Sequence, residues 1–299
     1  MNYTIINNSG GNHGHQLKDW IGSYTIGEIL GLQYHHTYYE YLDFFLPHSF
    51  FKQNNKLKNM RAVVIDGPLW GGIADYADFK EEFKTIEKDV DTLYQFSHAL
   101  RVHPFQTIAW LDNHLIKKDI FRKVCSILES AFYHNKERRK PEHDITDVCV
   151  HVNLRHNQGT GPRAVRYRFP ADYYLRIVEQ LQESVPGKLR INIYTEETNS
   201  ALVEQCFPDT EFNLHIGPDR EKRDLKKIHS IFKDFVDTDI LVSSNSSFSV
   251  VASYFRQPDS KKITVYHPHA HLKDLGKFDN MIETNGEGTI QTYPESWSS

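Results

Sequence analysis

The sequence predicts an α/β chain of two domains, each built on a parallel sheet with covering helices. Near the N-terminus a short apolar strand runs into a glycine-rich loop and then a helical pattern. From about residue 148 to residue 266, short apolar runs alternate with amphipathic segments. Strands alternating with helices imply crossover connections and hence parallel pairing. Between these regions lies a polar, charged stretch, His134 to Asp144, that contains Pro141. A boundary placed there gives domains 1–140 and 141–299, each of ordinary size.

The elements follow in order. Thr4-Ile5-Ile6 reads as a strand, and residues 7–15 form a turn rich in Gly and Asn. Leu17, Trp20, Ile21 and Tyr24 recur at helical spacing. Ile26, Ile29 and Leu30 fall on the other side, so the helix is either buried all round or broken near Gly27. Gly31 reads as a helix stop before a strand at Leu32-Gln33-Tyr34. Arg61 to Asp66 is a strand ending in an acid, and residues 75–134 read as mainly helical. In the second half, strands are expected at Val148–Val152, Arg190–Thr195, Glu211–His215, Asp239–Val242 and, as the last, Lys262–Tyr266. Helices are expected at Ala171–Ser184, Ala201–Cys206, Leu225–Phe235 and Phe248–Phe255.

Composition excludes several classes. Hydrophobic content of 39% with 25% charged residues describes a globular chain. The formal net charge is -4, so there is no general basic footprint for nucleic acid. No apolar run reaches the length of a membrane span, and the first residues lack the pattern of a signal peptide. A soluble, cytoplasmic protein is the expectation. Cys125, Cys149 and Cys206 lack CxxC spacing and read as free thiols.

Parallel sheets bind ligands at the carboxyl ends of their strands. His151 to Arg155, Glu196-Glu197 and Ser243 to Phe248 all fall at such ends. The run Ser243-Ser244-Asn245-Ser246-Ser247-Phe248-Ser249 sits where a strand feeds a helix. Helix N-termini present backbone N–H groups and favour negative charge, and serine hydroxyls add donors without bulk. The run is therefore either a seat for a phosphate or pyrophosphate, or a serine N-cap that needs no ligand. Glu196 and Glu197 either accept hydrogen bonds from a nucleotide base or ribose, or favour the dipole of a following helix.

With these stretches in view, the chain resembles the GDP-sugar glycosyltransferases of GT-B fold. The likeness is greatest to the α1,2-, α1,6- and protein O-fucosyltransferases and the nodulation fucosyltransferases. Residues 11–17, Gly-Asn-His-Gly-His-Gln-Leu, are similar to the family's G-x-x-G-N-Q-L/M loop. Val150 to Asn157 is similar to its H-x-R strand end, and Ile193 to Glu197 to its motif of strand, Ser/Thr and acid. Asp239 to Val242 with Ser246-Ser247-Phe248-Ser249 is similar to its donor motif.

The sequence also departs from the pattern. His15 stands where the family has Asn, and Asn153 where it has Arg. Arg155-His156-Asn157-Gln158-Gly159 resembles the Arg-His-Gly-Asn-Gly of the nodulation enzymes, as though the strand carried two more residues. Arg155 is thus the expected diphosphate arginine, with Arg163, Arg166 and Arg168 as rivals.

The resemblance implies a GT-B fold of two Rossmann-like domains facing across a cleft, with the C-terminal tail able to pack back on the first domain. It implies transfer of fucose or a related sugar from a GDP-sugar donor to a carbohydrate hydroxyl, inverting and without metal. No cofactor is implied. The partners are the nucleotide-sugar donor and a glycan or glycoconjugate acceptor. Arg155, His15 and Asp66 are the catalytic candidates. His151, Asn153, Glu196, Glu197, Ser246, Ser247, Phe248, Gly11 and Gly14 are the donor-binding candidates. Asp112 is a further candidate base, and the aromatic segment Tyr34 to Phe51 is either core or a stacking surface for an acceptor sugar. His267, His269 and His271 alternate as zinc ligands can, but no second ligand cluster accompanies them. The alternatives are another donor, such as a UDP- or GDP-linked pentose or deoxyhexose, or an inactive nucleotide- or glycan-binding module.

Overall fold

The chain divides into two units, Met1–Lys136 and Glu137–Ser299. A computed structural model describes residues 3–5, 13–36, 40–51, 60–65, 92–96, 114–154, 169–196, 200–207, 211–217, 224–267, 280–294 and 297.

The first unit carries a four-stranded parallel sheet in the order β2-β1-β4-β3. Its strands are β1 (Tyr3–Ile5), β2 (Gln33–Tyr34), β3 (Arg61–Ile65) and β4 (Thr92–Phe96). The expectation that residues 75–134 are mainly helical is corrected at Thr92–Phe96 and met at His114–Phe132, and residues 75–91 and 97–113 lie outside the described residues. Thr92-Leu93-Tyr94-Gln95-Phe96 places Thr, Tyr and Phe at alternate positions, a strand pattern that the flanking helical periodicity obscured.

Helix α1 (His13–Leu30) follows β1 and runs unbroken through Gly27. It ends at Gly31, whose φ of 68° only glycine adopts cheaply. The amide of Leu32 reaches the Gly27 carbonyl at 2.8 Å and that of Gly31 reaches Glu28 at 3.2 Å, which satisfies carbonyls of the last turn. Leu17, Trp20 and Ile21 are fully buried. Trp20 stacks on Tyr24 at 4.9 Å and meets the edge of Tyr34 at 5.5 Å. The short helix α2 (Glu40–Asp43) leads to Phe45 and Leu46, also fully buried. Helix α3 (His114–Phe132) buries Val124, Cys125, Leu128, Ala131 and Phe132, and Lys123 pairs with Glu28 of α1. Much of the aromatic segment from Tyr34 to Phe51 is thus core. Within it His36 is 2% exposed and lies flat on Phe51 at 4.3 Å.

The second unit carries six parallel strands in the order β10-β9-β8-β5-β6-β7. These are β5 (Ile145–His151), β6 (Lys188–Glu196), β7 (Asn213–Gly217), β8 (Ile240–Val242), β9 (Ile263–Tyr266) and β10 (Met281–Glu283). The first strand, β5, is central. The chain lays β6 and β7 to one side, then crosses to place β8, β9 and β10 on the other. This is the order of a doubly wound nucleotide-binding sheet, with its switch point between β5 and β8. β7 begins two residues later than Glu211, and β10 follows the strand expected to be last. Three residues were too few to signal β10 in sequence; pairing with β9 makes it a strand.

Alternation along β5 sorts its side chains to two faces. Val148, Val150 and Val152 join Ile191, Ile193, Ile240, Val242 and Val265 beneath helix α4 (Ala171–Ser184), which contributes Tyr173, Tyr174, Ile177, Val178 and Leu181. The short helix α5 (Ser200–Cys206) adds Val203 to this core. Cys149 and His151 face the other way, toward helix α6 (Leu225–Asp237). There Phe235 meets His151 at 5.1 Å and Tyr194 at 5.0 Å. Helix α7 (Ser247–Arg256) packs beside α6 through Phe255 and Phe232, 5.3 Å apart.

At the opposite edge, buried Arg256 donates to the carbonyls of Phe235, Thr238, Asp239 and Ile263 at 2.6 to 3.0 Å. It ties the end of α6 to the starts of β8 and β9. The described part of the C-terminal tail packs on α4 of this unit. Gln180 accepts from the amide of Ile290 at 3.0 Å, and Tyr173 bonds Thr284 at 2.6 Å. Among the described residues no helix is long and apolar enough to cross a membrane.

Candidate nucleotide site at the switch point

β5, β6 and β8 are neighbours, so their carboxyl ends bring His151, Glu196 and the serine run to one edge. His151 is the last residue of β5 and pairs in register with Tyr194. Glu196 ends β6 two residues beyond Tyr194, on the same face as His151. It is half-buried in the strand end, and the helix that follows starts only at Ser200. Asn153 follows β5 and is half-buried.

β8 ends at Val242, and four residues carry the chain into α7. Ser246 is the N-cap, with extended backbone (φ -72°, ψ 130°), and its hydroxyl accepts from the Phe248 amide at 3.3 Å. The capping reading of the serine run is therefore met at Ser246. The remaining serines fold the loop on itself. Ser244 Oγ accepts from the Ser246 amide at 3.1 Å, and the Ser244 amide donates to Ser249 Oγ at 3.2 Å. Ser243 Oγ lies 3.2 Å from Ser249 Oγ. Ser244 Oγ also lies 2.9 Å from His151 Nδ1, which joins the loop to β5 across the switch point.

Ser247 opens the helix and is 9% exposed. The ring of Phe248 packs against Phe232 at 5.2 Å and Phe235 at 5.9 Å, with His151 at 6.5 Å. Its place is that of a wedge holding α7 against α6. Beyond β9, His267 packs on Phe169 at 4.9 Å. Among the described residues no group of His, Cys, Asp and Glu could hold a metal ion.

The structure thus brings His151, Asn153, Glu196, Ser246, Ser247 and Phe248 to one edge. Gly14 and His15 lie not in a loop but in the first turn of α1, which starts at His13. Gly11, Asp66, Arg155 and Glu197 lie outside the described residues, as do Asp112, Arg163, Arg166, Arg168, His269 and His271. Two residues that the sequence placed within motifs, without singling them out, belong to this edge. Ser244 makes the contact to His151, a role its place in a run of serines could not distinguish. Thr195 is 3% exposed, and its hydroxyl has no hydrogen-bond partner among the described residues. Its sequence signal was a Thr between a buried strand and an acid.

Hydroxyl donors, an imidazole and the positive end of a ten-residue helix converge here. A helix N-terminus of this kind favours an anion. The fold has the GT-B type of the nucleotide-sugar glycosyltransferases. The fucosyltransferase FUT1 of Arabidopsis thaliana, solved as a mutant in complex with GDP, superimposes with a TM-score of 0.53 at 12% identity, covering 86% of this chain and 68% of that one. A NodZ α-1,6-fucosyltransferase co-crystallised with GDP gives 0.48 at 12% identity, covering 97% of each chain. The ADP-heptose LPS heptosyltransferase II of E. coli gives 0.44 at 10% identity, covering 99% and 96%. No family model matches the sequence, and no curated protein matches it by sequence.

Proposed function

We propose that the chain is a glycosyltransferase that moves fucose or a related sugar from a GDP-sugar to a carbohydrate hydroxyl. The observation that carries this reading is the join of His151 and Ser244 at the switch point of a nucleotide-binding sheet. The likeness in fold to FUT1, which was solved with GDP, supports the choice of nucleotide.

In the transfer, an acceptor oxygen attacks the anomeric carbon as the bond to the diphosphate breaks, and the configuration inverts. Charge develops on the departing diphosphate, so donors aimed at it act most strongly in the transition state. Arg155 and the N-terminus of α7 are assigned that task in place of a metal. Glu196 and Glu197 are assigned to the base or ribose, with His151 and Asn153 beside the phosphates. The acceptor hydroxyl must lose a proton, and His15 and Asp66 are the candidate bases.

The test is incubation with GDP-fucose, with and without a panel of glycan acceptors and with excess chelator. Release of GDP with sugar transfer that persists in chelator is the expected result. Loss of transfer in chelator, restored by manganese, makes the enzyme metal-dependent. Binding of GDP with neither hydrolysis nor transfer leaves an inactive nucleotide-binding module.

A further inference from the structure

The hydroxyls around Ser244 have a countable set of protons. Each serine has one proton to give and can accept in two directions. Ser249 Oγ receives the Ser244 amide, and its own proton has carbonyl acceptors at Ser246 (3.3 Å) and Ser244 (3.5 Å). The Ser243 proton has the Ser244 carbonyl at 3.1 Å. Both neighbours are therefore served without the Ser244 hydroxyl. Ser244 Oγ already accepts from the Ser246 amide. Its proton has the choice of His151 Nδ1 at 2.9 Å or Ser249 Oγ at 3.3 Å. The ring nitrogen is nearer and is the better acceptor. Phe235 and Phe248 flank the ring on the side of α6 and α7 and limit its rotation.

We propose that Ser244 is a positioning residue that donates to His151 Nδ1 and so fixes the neutral ring with its proton on Nε2. His151 then carries its N–H on Nε2, the nitrogen away from the Ser244 contact. The value of that donor to a diphosphate rests on the function proposed above; the tautomer does not. A Ser246 amide held by the same hydroxyl links the set of the ring to the set of the capping loop, so one side chain aligns both.

The test has two parts. Long-range 15N–1H spectra of histidine-labelled free protein report the tautomer directly. In wild type, His151 is expected to show a bare Nδ1 and a protonated Nε2, and in Ser244→Ala a mixture. GDP titrations then compare wild type, Ser244→Ala, His151→Gln and the double variant. Ser244→Ala is expected to weaken GDP about tenfold in the wild-type background and not at all beside His151→Gln. A protonated Nδ1 in wild type overturns the proposal. So does an equal loss in both backgrounds, which a merely structural serine would give. A wild type that binds no GDP removes the proposed function, while the spectra still decide the tautomer.

Discussion

Ser244 Oγ stands 2.9 Å from His151 Nδ1, and so the ends of β8 and β5 are joined by a side-chain contact at the point where the strand order reverses. The contact sits where doubly wound sheets bind ligands. The site's framework is thus held by residues that also face it.

Arg256 does comparable work at the other end of the sheet, and there it is structural. It is 1% exposed and serves carbonyls from α6 and from the starts of β8 and β9. Arg256→Met fills a similar volume but takes the arginine's donors from the carbonyls of Phe235 and Thr238, while the Asp239 carbonyl keeps the Ile263 amide at 2.8 Å. It is expected to cost about 3 kcal/mol, read as a lower urea midpoint at unchanged slope.

Gly288 and Gly187 separate strain from overlap. Both have φ of 88°. A Cβ on Gly288 would lie 2.4 Å from the Tyr173 carbonyl oxygen, whereas nothing lies within 4 Å of one on Gly187. Gly187→Ala is expected to cost about 1 kcal/mol, the price of the left-handed backbone alone. Gly288→Ala adds a backbone clash with α4 and is expected to cost about 3 kcal/mol or more. Paired urea titrations read the difference.

His36 gives the first unit a sign in pH. Burial comes first, then the charge of nearby His48, and together with His35 they outweigh Asp43 to push the ring down to about 4. Tyr34 shares a hydrogen bond with it at 3.1 Å. The unfolded chain takes up this proton near pH 6.5 and the folded chain only near 4, so stability falls as pH drops through that window. The loss is expected to reach about 3 kcal/mol by pH 4. His36→Phe should flatten the fall, measured as melting temperature against pH; an unchanged slope contradicts the account.

Much of this fold was legible in the sequence. The alternation from Val148 to Tyr266 gave the second sheet because β5, β6, β8 and β9 have buried, mostly apolar centres, although β7 is only half-buried, and because α4 and α6 are strongly two-faced. β4 was not legible, since Thr92 to Phe96 is embedded among residues of helical spacing. Gly14 and His15 were read as loop because Gly and His are weak helix formers, yet they open α1. The gathering of His151, Asn153, Glu196 and the serine run at one edge was legible from their strand-end positions. The division of labour within the serine run was not, because Ser243, Ser244, Ser246 and Ser249 are chemically alike and differ only in what they face.

The arginine assignment follows the strand-end resemblance. Arg155→Ala should lower turnover by roughly a hundredfold, about 3 kcal/mol, with little change in stability. Ser247→Ala should cost less, since backbone donors of α7 still reach a phosphate. Turnover of Arg163→Ala is the comparison: if it is nearly inactive while Arg155→Ala is close to wild type, the cation comes from the loop after Gly161.

The most direct measurement is the melting temperature across a panel of GDP, UDP, ADP and CMP, since a ligand that binds only the folded state raises it by mass action. GDP is expected to give the largest rise, and His151→Gln to reduce it. Stabilisation by UDP without GDP would contradict the donor, and no rise with any nucleotide would contradict the site itself.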